Sequence, residues 1–121
     1  MKKNSANSTT KINKVEKARQ EAIHGDFFFA EFFLSDGLVR RSPVFVIGND
    51  SDTVDVIVCK CTTQPAKSDF DVKIQLKMET YVRTNKIYTI GRNQLLFKIG
   101  HEFESGEYER IIEKLKKALN L

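Results

Sequence analysis

The chain has no tryptophan, two prolines, two cysteines, two histidines and six glycines in 121 residues. Each shortage excludes something. Cys59 and Cys61 stand two apart, so in an extended segment they share a face, where a disulfide would be strained. With no histidine near them they fall short of the four ligands of a structural zinc site. They read as small apolar core residues. The six glycines form neither a phosphate-cradling loop nor a dinucleotide fingerprint, and the nucleophile elbow and HExxH are absent as well. His24 and His101 lie at the ends of expected elements, which suits surface or capping roles better than catalysis. No apolar run approaches the ~20 residues of a membrane span. Residues 1–24 lack the apolar stretch of a signal peptide, so the expectation is a cytoplasmic protein with no membrane partner.

What is present is one domain's worth of apolar sequence. Hydrophobic residues make up 40% of the chain and nine of them are Phe, enough for a single small core. The net charge of +4 has a location. Residues 1–24 carry Lys2, Lys3, Lys11, Lys14, Lys17 and Arg19 against Glu16 and Glu21, and residues 25–121 balance. The reading is therefore a basic N-terminal extension, residues 1–24, followed by a near-neutral domain, residues 25–121. Overall charge says little about nucleic acid here, and only a local patch would.

Residues 1–9 are polar and without period, which predicts disorder. Ile12, Val15, Ala18, Ala22 and Ile23 form a helical stripe over residues 10–24, with Thr9 or Thr10 as N-cap and Gly25 as C-terminal stop. The period then changes. "DFFFAEFFL", "SPVFVIG", "TVDVIVCKC", "FDVKIQL" and "TYVRTNKIYTI" read as strands, with "SDG", "NDSD" and "TTQPAKSD" between them. "GRNQLLFKIG" adds a shorter piece. The last segment is a helix with Tyr108, Ile111, Ile112, Leu115 and Leu119 on one side. Ser105 is its expected cap, acids lie in its first turn and lysines lie toward its end. Short strands closed by one helix predict a bent antiparallel sheet or barrel of five to seven strands. The aromatic excess of "FFFAEFFL" predicts a homodimer.

Arg40 and Arg41 stand just before the apolar run Val44–Ile47. With Thr62, Thr63, Arg83 and Asn85 they make a set of anion-binding donors near strand ends, suited to phosphate. "GDFFFAEFFLSDGLVRRSPVFVIGND" resembles the opening of the PemK/MazF toxin family: Gly-Asp, an apolar strand, a Ser-Asp-Gly type loop, basic residues, Pro and a second strand. "VIVCKCTTQ" and "TYVRTNKIYTIGRNQLLFKIG" continue the likeness, which covers residues 25 to about 119.

The resemblance implies a mainly β (α+β) fold, an SH3-like barrel of the PemK/CcdB type. It also implies a homodimeric endoribonuclease of a type II toxin–antitoxin pair, acting on mRNA without metal or other cofactor. The 2′-hydroxyl would attack the adjacent phosphate to leave a 2′,3′-cyclic phosphate. Partners would be RNA and an acidic antitoxin. Thr62 matches the family's catalytic threonine and Arg83 an arginine that some members use. Arg41 completes the expected catalytic set, and Arg40, Thr63, Asn85 and Lys86 are expected RNA contacts. Asn85 stands where some members carry a carboxylate, and Ser42 stands where the family places its arginine before Pro. In a regular strand Arg40 shares a face with Ser42 and Arg41 points away; a bulge at Pro43 would reverse this. The loss at Ser42 keeps a second reading open, a catalytically impaired RNA- or protein-binding module of the same fold.

Overall fold

In the computed structural model, which describes residues 14–49 and 53–121, the aromatic run becomes strand β1, Phe27–Phe33. β2 (Val39–Asn49), β3 (Asp55–Thr62), β4 (Asp71–Gln75), β5 (Glu79–Gly91) and β6 (Leu95–Ile99) follow. They form one sheet in the order β4-β5-β3-β2-β1-β6, and every paired neighbour is antiparallel. Helix α1 occupies described residues 14–20, and α2 spans Glu107–Leu119. Among the described residues no helix is long and apolar enough to cross a membrane.

The sheet buries both faces, which is why its inner strands read as continuous apolar runs and not as alternations. On one face Phe28, Ala30, Phe32, Val44, Val46, Val56, Val58, Ile90 and Leu95 cluster beneath Ala18 and Ala22 of the N-terminal segment. On the other, Phe27, Phe45, Cys59, Cys61, Val72, Ile74 and Val82 pack against Ile111 and Leu115 of α2. Edge strand β4 keeps the alternation, with Val72 and Ile74 buried and Lys73 and Gln75 exposed. Phe27, Phe28 and Phe45 are wholly enclosed, each contributing about 1.5–3 kcal/mol by burial. Only Phe33 and Phe97 among the phenylalanines stay largely exposed. The sheet thus absorbs most of the aromatic excess itself. A hollow of about 420 Å³ takes lining from Phe29 and Pro43, from the β4–β5 hairpin (Leu76, Met78) and from β6 (Phe97, Ile99). The two edges therefore curl toward each other, giving the barrel-like form expected of the sequence.

Three expectations need correction. β2 starts at Val39, so Arg40 and Arg41 lie inside a strand and not ahead of one. They are held there because the β1–β2 ladder runs without a shift from Phe33↔Val39 to Phe27↔Phe45. The first helix ends at residue 20, not His24, and Gly25 does not stop it. Gly25 takes φ 98 and gives its N–H to the Val46 carbonyl at 2.9 Å. What closes α1 is Arg92, a buried residue whose Nη1 donates to the carbonyls of Arg19, Gln20 and Ala22 at 2.7, 3.3 and 3.0 Å. A guanidinium there meets the helix's orphan carbonyls and its negative end together. Ser105 does not cap α2. Gly106 holds the cap position at φ 80, and the Glu107 carboxylate receives the Glu104 N–H and the His101 ring instead. The proposed Thr9 or Thr10 cap, the disorder of residues 1–9 and most of the "NDSD" turn lie outside the described residues.

Arg92→Leu leaves three carbonyls without their donor while preserving bulk. It is expected to lower unfolding stability by about 2–4 kcal/mol and to raise amide exchange in residues 14–22. Denaturant titration with hydrogen exchange checks both.

Candidate anion-binding cleft

The β2–β3 ladder stops short of the arginines. Its last pair is Val44↔Lys60, and the next residue along β2 is Pro43, which has no N–H to extend it. Beyond that point β2 stays with β1 while Cys61 and Thr62 turn to β5, opposite Val82 and Tyr81. The strands part, and the gap is a cleft of about 380 Å³. On its far side β5 is bulged. Cys61 faces Val82 but Cys59 faces Ile87, so Lys60 alone stands against residues 83–86. Bulges of this kind bend a strand and re-aim side chains.

The cleft's lining includes Arg40, Arg41, Lys60, Lys67 and Arg83 and no carboxylate, with Ser42, Thr62, Thr63 and Gln64 among them. Cross-strand pairing decides which arginine joins which face. Arg40 pairs with Phe32, a residue of the α1-side core, and Lys60 lies over the same Phe32 ring at 5.4 Å. Arg41 pairs with Glu31, and its Nε and Nη2 donate to Glu31 Oε1 at 3.2 and 3.1 Å. Ser42 follows Arg40 by two and shares its face. No bulge brings Arg41 round.

Burial first, then repulsion from Arg40 and Arg83, pushes the Lys60 ammonium below its ordinary range. Three cations close enough to repel describe a site built for an anion. Arg83 has a partial counterweight in Asp71, whose fully enclosed carboxylate lies 3.5 Å from Arg83 Nε without hydrogen-bond geometry. Asp71 also accepts the Lys67 N–H at 2.8 Å. The Ser42 hydroxyl is enclosed and lacks a hydrogen-bond partner among the described residues.

Of the residues singled out from sequence, Arg40, Arg41, Thr62, Thr63 and Arg83 meet at the cleft. Asn85 and Lys86 are exposed on the β5 bulge and are not among its lining. Lys60, Gln64, Lys67 and Asp71 were missed. Lys60 had a signal: it continues the inward positions Val56 and Val58 with a charge. His24 and His101 stand away from the cleft. His24 bridges the Ile47 carbonyl and the Tyr108 hydroxyl, each at 2.6 Å. His101 is half-buried with its side chain largely enclosed, and donates to Glu107 at 2.6 Å. Among the described residues no three His, Cys, Asp or Glu side chains converge as a metal-binding group.

A family model described as the PemK-like, MazF-like toxin of type II toxin–antitoxin systems matches residues 24–119. No curated protein matches the sequence. The fold is similar to that of an endoribonuclease solved with its cognate antitoxin from a Mycobacterial species. That likeness has 21% identity and a TM-score of 0.68 over 83% of this chain and 96% of that one. It is also similar to the Mycobacterium tuberculosis toxin MazF-mt6, at 18% identity and a TM-score of 0.64 over 79% and 97%. The MazE–MazF structure from Deinococcus radiodurans gives 16%, 0.65, 83% and 96%. At these identities the likeness is one of fold.

Cys61 lines the cleft but is no nucleophile. Both thiols are wholly buried; burial pushes Cys59 up to about 12 and Cys61 well above its ordinary value of 9.0. Neither should react with a thiol-specific disulfide dye at neutral pH until the protein unfolds. The raised folded value also fixes a sign. Each thiol's contribution to stability is whole below pH 9, the unfolded value, and is lost as pH climbs toward the folded one. Cys59→Ala should therefore flatten the alkaline fall in stability by about 1.4 kcal/mol per pH unit between pH 9 and 12.

Proposed function

The chain belongs to the PemK-like, MazF-like toxin family of type II toxin–antitoxin systems, and on that premise we propose that it is an endoribonuclease whose cleft binds and cuts RNA. The observation that carries this reading is the meeting of Arg40, Lys60, Arg83 and Thr62 where β2 and β3 part. A backbone phosphate fits that charge and that set of donors.

In the reaction the ribose 2′-oxygen loses its proton and bonds to the adjacent phosphorus. The bond from phosphorus to the 5′-oxygen breaks, and that oxygen takes up a proton. The products are a 2′,3′-cyclic phosphate and a 5′-hydroxyl. Negative charge grows on the non-bridging oxygens, where fixed guanidinium and hydroxyl donors act most strongly. Arg83, steadied by Asp71, and Thr62 supply them from β5 and β3. Arg40 takes the part first assigned to Arg41, since it shares the face of Ser42, the position of the family's arginine, and its charge is not spent on Glu31. Lys60, with its lowered proton affinity, gives up or accepts a proton nearer neutrality than a free lysine does.

The partners follow from the same surface. An acidic, extended antitoxin segment laid over Arg40 and Arg83 would compete with RNA by offering carboxylates in place of phosphates. Homodimerisation in the cytoplasm completes the reading, with exposed Phe97 as apolar contact surface.

Incubating purified protein with a long RNA in EDTA, followed by end-group analysis, is expected to show cyclic phosphate and 5′-hydroxyl ends. Arg83→Ala, Thr62→Ala and Arg40→Ala should each slow cleavage on the order of 10²–10³-fold with the fold intact; Arg41→Ala should cost far less. RNA that is shifted on a gel but never cut, with small and equal effects of all four substitutions, would identify the non-catalytic module instead. Arg40→Ala and Arg83→Ala should also weaken a cognate antitoxin in calorimetry, and unchanged affinity would put its docking site elsewhere.

A further inference from the structure

Resting on the reading that RNA occupies the cleft, we propose that the sheet carries a second subsite beside it: an aromatic shelf, centred on Tyr88, that stacks a nucleobase of the strand whose phosphate lies at Arg40, Lys60 and Arg83.

A hollow of about 300 Å³ adjoins the cleft, with Phe32, Phe33, Lys60, Tyr88, Thr89 and Gln94 in its lining. Lys60 belongs to both, so the phosphate site and the hollow share a wall. The register explains the adjacency. Tyr88 on β5 lies opposite Val58 on β3, and Lys60 is two residues further along β3 on the same face. Phe32 is the floor. Tyr88 meets it edge to face at 5.5 Å and 66°, and the Lys60 ammonium rests 5.4 Å from its centroid. Tyr88 is thus fixed in orientation, yet 41% of it stays open to solvent, beside Phe33 at 66%.

The occupant must combine a negative charge in the cleft with a flat, weakly polar group one wall away, and a nucleotide does. Aromatic platforms interleaved with cations are how single strands are held, because every base has a π-face. No carboxylate lines the hollow. The Gln94 amide is already committed, accepting from Gly91 N–H and donating to the Glu31 carbonyl, each at 2.9 Å. Edge recognition therefore falls to Lys60. An apolar side chain of a protein partner would fill the hollow but would leave the shared ammonium without a role.

The test compares two probes. One is a short, mixed-sequence 2′-O-methyl oligoribonucleotide, which has phosphates and bases but no hydroxyl to attack. The other is inorganic polyphosphate, which has charge alone. Tyr88→Ala is expected to weaken the oligonucleotide on the order of tenfold and leave polyphosphate unchanged, which also certifies the fold. Tyr88→Phe, keeping the ring, should bind both like wild type. Arg40→Ala should weaken both probes. If Tyr88→Ala binds the oligonucleotide as wild type does while Arg40→Ala does not, the shelf is wrong and the cleft stands. If wild type binds neither probe, shelf and cleft fall together. If Tyr88→Ala weakens a cognate antitoxin but not the oligonucleotide, the occupant is protein and the proposal is overturned.

Discussion

A missing hydrogen bond organises the molecule. Pro43 cannot donate to β3, so the central ladder ends at Val44↔Lys60 and the two strands go separate ways. The donors of the cleft stand around that parting: Arg40 and Ser42 on β2, Lys60 and Thr62 on β3, Arg83 where β5 bulges. A regular sheet would have closed the gap. Its cationic side chains would then line one continuous face, with no hollow between them to receive a phosphate. The break in regular structure is what turns scattered charges into a site.

The rest of the fold makes that break tolerable. Opening an inner ladder exposes polar backbone and forfeits packing, so the remaining sheet must be well buried. Two covers supply this. α2 lays Ile111 and Leu115 on one face, and the N-terminal segment sets Ala18 and Ala22 on the other. α1 holds because Arg92 gathers its terminal carbonyls and Arg19 Nε donates to the Leu95 carbonyl at 2.6 Å. The family match begins at residue 24, so this second cover is built from sequence outside the shared domain.

Strand identity was legible because apolar run length and β-branched content speak locally. The antiparallel sheet, the C-terminal helix and the buried cysteines follow from it. Helix ends were less legible. Ser105 and Gly25 satisfy local rules for caps, yet a distant guanidinium and a glycine of positive φ took those places, and local sequence carries no record of what lies across the fold. The site was half legible. Arg40, Thr62 and Arg83 stand out by residue type, but Lys60 and Asp71 acquire meaning only through the register that sets them beside the others. The two arginines show the limit most clearly. Periodicity alone put Arg40 with Ser42, but only the unshifted ladder with β1, and Glu31 opposite Arg41, excluded the bulge.

The sheet order has a temporal consequence. β1 lies between β2 and β6, and Phe27 sits opposite both Phe45 and Ile99. β1 therefore waits for β6, and Arg92, which holds α1, arrives with it. Pairings this distant in sequence make for slow closure. β2, β3 and β5, which frame the cleft, are all synthesised before β6, so their cationic walls exist on a chain whose hydrophobic floor, with Leu95 missing from beneath Phe28 and Ala30, is still open to water. Full rigidity of the cleft therefore waits until β6 and Arg92 are in place.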